Sequence, residues 1–294
     1  MLQIAAILTC YNRCQKTLSC LDSLYTSLSI TKDVNLTVYL VDDGSTDQTA
    51  ELVSRQFSEV RTIQGSGNLY WSGGMHLGFA HAMKEGYDFY LWLNDDVVLN
   101  PTSIKNLLNS FERNLSLLGK DCVIVGALSN HHNSQVIYSG HRLVGSKLAP
   151  KGQMVYSPNE DLECHSFNGN CVLIPRAVAS KVGNLDPVFI HAMGDYDYGY
   201  RCLLNGFKMF VCQDIVGSCA VDEGNYKLYS GLDQGNWKSL PLLQRIKVIC
   251  SPKNFPVKPW LVYSYKYLGW LWFLRFLRPY VLAMFPKLVQ SKKK

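Results

Sequence analysis

The first 127 residues alternate short apolar runs with stretches of helical period, and no other feature constrains the fold as much. Strand-like runs stand at 4–8, 36–41, 60–63, 89–93 and 123–127, with helix-period segments at 15–28, 46–57, 74–84 and 103–114 between them. Strands joined by helices of this length need crossover connections. They predict an α/β fold with a mainly parallel sheet covered by helices on both faces. Right-handed crossovers bring the carboxyl ends of such strands to one edge, where these folds bind ligands.

The second half is less regular. Residues 135–144, 164–174 and 207–212 read as strands, and 176–182 and 194–204 as helices. Acidic residues stop after Asp233, and Pro241, Pro252, Pro256 and Pro259 punctuate the chain, which places a boundary near 231–238 between a domain at 1–230 and an extension at 231–294. Charge follows the same division. The whole chain carries +6, but residues 239–294 hold eleven Lys or Arg and no Asp or Glu. The preceding 238 residues have eighteen basic and twenty-three acidic groups, a net of −5. An acidic body with a basic tail argues against nucleic-acid binding.

The tail from 260 to 289 is rich in Trp, Tyr and Phe, but Lys266, Arg275, Arg278, Lys287, Pro279 and Pro286 interrupt it. A span needs about 20 largely apolar residues, so this segment is too broken to cross a membrane. Two readings remain. One is an interfacial helix pair resting on an anionic membrane; the other is an aromatic helix packed on the body, followed by a solvated Lys tail. On the first, removing the chain after Lys238 should abolish vesicle binding and spare nucleotide binding. The ten cysteines contain no CxxC pair, and several sit inside apolar runs, as buried free thiols of a reducing compartment do. The chain opens directly on a strand-like run, with no basic leader. The expected location is cytoplasmic, peripheral on the inner face of the membrane.

Two acidic pairs end apolar strands. The run 36–41 leads into Asp42-Asp43-Gly-Ser45-Thr46-Asp47, and 89–93 into Asn94-Asp95-Asp96. Ser45, Thr46 or Asp47 suits a helix N-cap and Asp43-Gly44 a turn. Asp42 has no such duty, and an acceptor-only carboxylate there suits the ring N–H of uracil or thymine, or ribose hydroxyls. Adjacent Asp95 and Asp96 repel each other. Either a solvated turn relieves that cost, or a hard divalent cation, Mn²⁺ or Mg²⁺, binds the pair and grips a diphosphate. Gly65-Ser-Gly67-Asn-Leu-Tyr70-Trp71-Ser-Gly-Gly74 fails the dinucleotide fingerprint because its sixth residue is Tyr70. Gly73-Gly74 opening a helix would let backbone N–H groups approach phosphate.

Taken together the motifs resemble those of family 2 glycosyltransferases of the GT-A fold, the inverting nucleotide-sugar enzymes of bacterial polysaccharide and O-antigen synthesis, rhamnosyltransferases among them. The resemblance rests on Thr9-Cys-Tyr-Asn12, Val41-Asp-Asp-Gly-Ser-Thr-Asp47, Leu93-Asn-Asp-Asp96, Phe167-Asn-Gly-Asn-Cys-Val-Leu-Ile-Pro-Arg176, Val182-Gly-Asn-Leu-Asp186 and Gly194-Asp-Tyr-Asp-Tyr-Gly-Tyr-Arg201, in the family's order across roughly residues 2–220. It implies Asn12, Asp42 and Asp43 as nucleotide contacts, and Asp96 with Asp95 as metal ligands, Asp95 also touching ribose. It implies Asp195 as the general base. Trp71 and Gly74 fall in the loop that covers the donor, and Trp71 reads equally as an ordinary packed side chain. The implied reaction is metal-dependent transfer from a UDP- or dTDP-sugar, such as dTDP-rhamnose, to a saccharide or lipid-linked saccharide.

Asp197 and Arg201 stand at the i, i+4 spacing of a helical ion pair, which marks them as structural. Asp195 in the first turn of the same helix also suits a cap or dipole-compensating carboxylate. Two departures stand out. The family's Glu before the base is Gly194 here, and its late metal-shell His is replaced in Gln213-Asp214-Ile-Val-Gly-Ser218-Cys219, where Asp214 is a substitute. They keep alive a non-catalytic membrane-associated subunit of the same fold. A sugar nucleotidyltransferase would want a basic Gly-rich loop after the first strand, and Thr9-Cys-Tyr-Asn-Arg-Cys14 has no Gly. His76 and His81 read as structural or surface residues. His165 and His191 flank the acceptor side.

Overall fold

The computed structural model describes residues 1–145, 151–219 and 239–286, so the expected boundary at 231–238 and the terminal lysines lie outside the described residues. In chain order the first elements are β1 (Leu2–Cys10), α1 (Cys14–Ser29), β2 (Val34–Asp42), α2 (Thr49–Gln56), β3 (Arg61–Gln64), α3 (Tyr70–Glu85) and β4 (Phe89–Leu93). Then come β5 (Val97–Leu99), α4 (Ser103–Leu118), β6 (Val123–Asn130), β7 (Val136–Tyr138), β8 (Gly140–Val144), β9 (Lys151–Val155), β10 (Leu162–Cys164), β11 (Ser166–Phe167) and β12 (Cys171–Pro175). The remainder is α5 (Arg176–Val182), α6 (Gly194–Leu204), β13 (Met209–Cys219), α7 (Leu242–Ile249), α8 (Val257–Tyr267) and α9 (Trp272–Met284).

The main sheet runs β10-β13-β6-β12-β4-β1-β2-β3, and β8, β9 and β11 form a small separate sheet. Four of the seven junctions on that path are parallel: β2 to β3, β1 to β2, β1 to β4 and β6 to β13. β12 runs antiparallel to both β4 and β6, so the sheet is mixed and its first half wholly parallel. Side-chain alternation divides the core in two. Ile4, Ala6 and Leu8 of β1 face Leu21 and Leu24 of α1 and Ile104 and Leu107 of α4. Ala5 and Ile7 face Met75 and Phe79 of α3, in a layer with Trp92 and Tyr198. Each large side chain buried this way contributes about 1.5–3 kcal/mol.

Several boundaries moved for identifiable reasons. The helix expected at 74–84 starts at Tyr70, because the Asp43 carboxylate accepts the N–H groups of Leu69 and Tyr70 and caps it from the neighbouring loop. The helix expected at 46 starts at Thr49. Asp47 accepts the Thr49 N–H at 3.3 Å and also the Cys14 N–H of α1 at 2.9 Å. The strand expected at 164–174 is three short strands, and β13 runs past 212 to Cys219 through an irregularity at the polar Gln213 and Asp214.

The extension folds as α7, α8 and α9. Trp260 and Tyr263 of α8 form a third apolar cluster with Phe189, Met193 and Tyr196 of the body. The packed-helix reading of the tail therefore holds for α8. Among the described residues no helix is long and apolar enough to cross a membrane.

Candidate active site

Strand ends deliver the first half of the site. Cys10 and Asp42 are register partners at the ends of β1 and β2. Asp42 is 1 % exposed, and its Oδ1 accepts the Ser45 N–H at 2.9 Å. Its neighbour Asp43 lines the cleft, where its two oxygens accept the N–H groups of Gly67, Leu69 and Tyr70 at 2.8, 2.8 and 3.1 Å. A Cβ on Gly65 would stand 2.6 Å from Asp43 Oδ1, so this loop closes only with glycine there. Asn12 donates its N–H to Ser45 Oγ and accepts the Thr46 N–H at 2.7 Å. Asn12 and Asp42 hold the loop after β2, and neither is among the cleft-lining residues.

The pair after β4 has an unexpected partner. Arg13 Nε donates to Asp95 Oδ2 at 3.1 Å, Nη2 to Asp95 Oδ1, and Nη1 to Asp96 Oδ2 at 2.9 Å. A guanidinium thus bridges the carboxylates for which the sequence suggested a metal. Asp95 is 1 % exposed, and burial pushes its pKa up to about 6. The Arg13 charge opposes that rise and the Asp96 charge adds to it. Asp96 Oδ1 is buried and has no partner among the described residues. No cluster of three or more His, Cys, Asp or Glu suited to a metal occurs among the described residues. At the late strand end Ser218 Oγ lies 3.2 Å from His131 Nδ1, and Cys219 pairs with Val97, next to Asp96. Asp214 sits where the charge reaches Arg113 and Tyr156, outside the cleft lining.

Trp71 is a packed side chain that also borders the cleft. Its Nε1 donates to Asn94 Oδ1 at 2.6 Å and its ring meets Trp92 edge to face, yet it lines the cleft. A Cβ on Gly169 would come within 2.3 Å of that ring. Gly74 does not open a helix. It is buried in the second turn of α3, where a Cβ would stand 2.1 Å from Thr9 Oγ1, and it does not line the cleft.

Across the cleft Asp195 occupies the first turn of α6. It accepts the Gly169 N–H at 3.0 Å and the Tyr196 N–H at 2.9 Å. Burial pushes its pKa up to about 6 against the pull of those two donors. The chain from Asp95 to Asp195 is continuous: Asn94 holds Trp71, Trp71 packs on Gly169, and Gly169 holds Asp195. A Cβ on Gly194 would meet Ser72 Oγ at 2.4 Å, and Ser72 is fixed by its bond to the His191 carbonyl. That contact leaves no room for the family's Glu.

Asp197 is fully buried. It accepts from Arg201 Nε at 2.7 Å, as the spacing predicted, and also from Tyr267 Oη at 2.7 Å and Lys266 Nζ at 3.2 Å. Lys266 also reaches Asp186, so this cation of the tail ties α8 both to α6 and to the segment before it. The cleft, of about 910 Å³, takes its far wall from the extension through Val248, Lys253, Phe255 and Trp260. Truncation after Lys238 would therefore remove part of the cleft itself. His191 lines the cleft and accepts the Trp71 N–H at 3.4 Å; burial, then the Lys253 and Arg13 charges, lower its pKa to about 4 and keep it neutral. His76 and His165 hold backbone groups of Leu185 and Leu143. Arg13, Lys253, Phe255 and Trp260 were not expected. Arg13 alone left a signal, as the residue following the Thr9–Asn12 motif.

A parallel half-sheet with acidic strand ends facing a carboxylate across a cleft defines the GT-A class of fold. Residues 5–183 match the profile of glycosyl transferase family 2, and the chain belongs to that family. Its fold is similar to that of S. aureus TarS, with a TM-score of 0.56 at 14% identity, covering 99% of this chain and 50% of that one. It is also similar to the mannosyltransferase PcManGT from Pyrobaculum calidifontis, solved with GDP-Man and Mn²⁺, with a TM-score of 0.54 at 15% identity, covering 96% and 70%. A TarS 1-349 structure gives 0.53 at 15% identity, covering 97% and 82%. No curated protein matches the sequence.

Proposed function

We propose that this protein is an inverting glycosyltransferase that moves a sugar from a UDP- or dTDP-sugar, dTDP-rhamnose being one candidate donor, to a hydroxyl of a lipid-linked saccharide in cell-surface polysaccharide assembly. The observation that carries this reading is Asp195, poised near pKa 6 on the cleft and linked through Gly169, Trp71 and Asn94 to the acidic pair. In the transfer the acceptor oxygen attacks C1 of the sugar, the bond from C1 to the nucleoside diphosphate breaks, and Asp195 takes the acceptor's proton. A base whose pKa lies just below neutrality is mostly ionised at pH 7 and still a competent proton acceptor. The Arg13 guanidinium spends three of its N–H groups on the acidic pair, and the two that remain, one on each Nη, suit diphosphate oxygens.

The residues present fit a divalent cation. Asp96 Oδ1 is a buried hard donor without a partner among the described residues, and Mg²⁺-type sites take one or two carboxylates together with substrate phosphates. Asp96 would hold Mn²⁺ or Mg²⁺ through Oδ1, and Asp95 would join it on releasing Arg13; when bound the ion supplies positive charge to the departing diphosphate. Calorimetric titration of UDP, dTDP, GDP and ADP, with Mn²⁺ and then with EDTA, tests the reading. GDP belongs in the panel because one structural neighbour holds GDP-Man. Metal-dependent binding of a uridine or thymidine diphosphate is expected, and folded protein that binds no nucleotide would return the non-catalytic subunit to first place.

A further inference from the structure

Helix α9 is apolar on its packed side and also on the exposed side that adjoins it. Phe276, Tyr280 and Ala283 turn inward, where the Phe276 carbonyl accepts from Trp260 Nε1 at 3.1 Å and Tyr280 Oη donates to the Phe255 carbonyl at 2.9 Å. The exposed side carries Phe273, Leu274, Leu277 and Met284, followed by the exposed C-cap Phe285, and Phe273, Leu277 and Met284 stand at the i, i+4, i+11 spacing of one helical stripe. Trp270, 67 % exposed, precedes the helix. A helix that needed only to pack on the body would turn polar residues outward. Contiguous exposed apolar surface of this kind marks an interaction site.

The charge around the face identifies its occupant. Residues 239–286 contain no Asp or Glu, and exposed Arg278, Lys258 and Lys247 belong to the same three helices. The rest of the chain is acidic overall. Pairing of this face with a second copy about a two-fold axis would set these cations against one another with no carboxylate to receive them. An anionic bilayer satisfies both features, taking the aromatic and Leu side chains below the headgroups and the cations among them. The 13 residues of α9 span only about 20 Å at the helical rise, so the helix lies in the surface plane.

We infer that the outer face of α9 docks this protein in the plane of an anionic phospholipid membrane, beside the cleft wall formed by Lys253, Phe255 and Trp260. This goes beyond the transfer reading and does not rest on it. The acceptor's carrier and the enzyme would then share one surface.

Flotation of the full chain with vesicles of phosphatidylcholine alone, or mixed with phosphatidylglycerol, tests the inference. Wild type should float with the anionic vesicles, and added salt should weaken the binding. The double variant Phe273→Ser, Leu277→Ser should lose on the order of tenfold or more in vesicle affinity, because both side chains leave the apolar stripe. Its melting temperature and nucleotide binding in solution should match wild type. Wild type that ignores anionic vesicles, or a folded double variant that floats equally well, overturns the inference. So does wild type that is a dimer by light scattering, ignores vesicles and becomes monomeric in the double variant, which would assign the face to a second copy. Nucleotide titration of the same samples reports separately on the transfer reading.

Discussion

The two walls of the cleft are built by different means. On one, β1, β2 and β4 end together and the backbone carries Asp42, Asp43, Asn94, Asp95 and Asp96 to one edge, where Asp43, Asn94 and Asp96 line the cleft with Asp42 and Asp95 behind them. Each residue there has its place because a buried strand stops beside it. On the other, Asp195, Lys253, Phe255 and Trp260 come from a helix start, a loop and the extension, and tertiary contacts hold them. Asp197 is the joint of that second wall, with Arg201 from its own helix and Lys266 and Tyr267 from α8. The first wall inherits its precision from the sheet. The second depends on a few buried polar contacts, so it is the more easily disturbed.

The largest expected effect tests whether chemistry belongs to the second wall. Asp195→Asn should lower transfer by about a thousandfold, within the usual range for a lost general base, while nucleotide affinity stays within a few-fold of wild type. Survival of transfer at the wild-type rate would move the base elsewhere. The same variant carries a stability signature. Asp195 has a folded pKa raised to about 6 from an unfolded value near 3.9, so its contribution is fully present below pH 4 and lost as pH rises through 6. The neutral amide of the variant removes that pH-dependent loss but turns an NH₂ group toward one of the two backbone donors, so relative to wild type the variant should gain roughly 1 kcal/mol or more between pH 4 and pH 7.5, on top of a constant cost. Melting curves at the two pH values read this difference.

Next in size, Arg13→Ala probes the first wall. It leaves buried Asp95 without its cation, and loss of one partner of a buried pair costs about 3–5 kcal/mol, less here because Arg13 is partly exposed. Melting temperature should fall at pH 7.5, and adding Asp95→Asn should recover much of the fall in a double-mutant cycle. Additive losses would show that Arg13 does not neutralise Asp95. Lys266→Met should cost about 1 kcal/mol and raise the acceptor KM more than the donor KM, because it loosens only the second wall. An equal rise in both would erase the distinction between the walls. The mildest effect is in the pH profile. On the proposed role of Asp195 as an ionised base, kcat/KM should climb with pH through a midpoint near 6 and lose that limb in the Asn variant.

The same asymmetry governs how much could be read in advance. The strands from 4–8 to 123–127 and their acidic ends stood out because a buried parallel strand is written as an unbroken apolar run. Asp197 and Arg201 stood out because four residues make one helical turn. The bond from Arg13 to Asp95 spans 82 positions and that from Lys266 to Asp197 spans 69, and no local pattern encodes either. Gly74 misled because Gly-Gly resembles a helix start, whereas here it makes room for Thr9 inside a helix that Asp43 had already begun. Lys266 misled because charge interrupting an aromatic segment resembles a membrane-facing cation, and its pairing with Asp186 and Asp197 is invisible in composition.

The ten cysteines have a practical corollary. Nine are buried and make no disulfide; Cys250 alone keeps partial exposure. Burial raises the thiol pKa of Cys10, Cys20, Cys122, Cys164, Cys171, Cys202, Cys212 and Cys219, so few thiolates are available to a soft electrophile. To a maleimide dye the folded protein is close to a single-cysteine molecule. Its one handle lies just after α7, between Val248 and Lys253 of the cleft wall. An environment-sensitive fluorophore placed there, without any engineered substitution, would report ligand binding beside the second wall in real time.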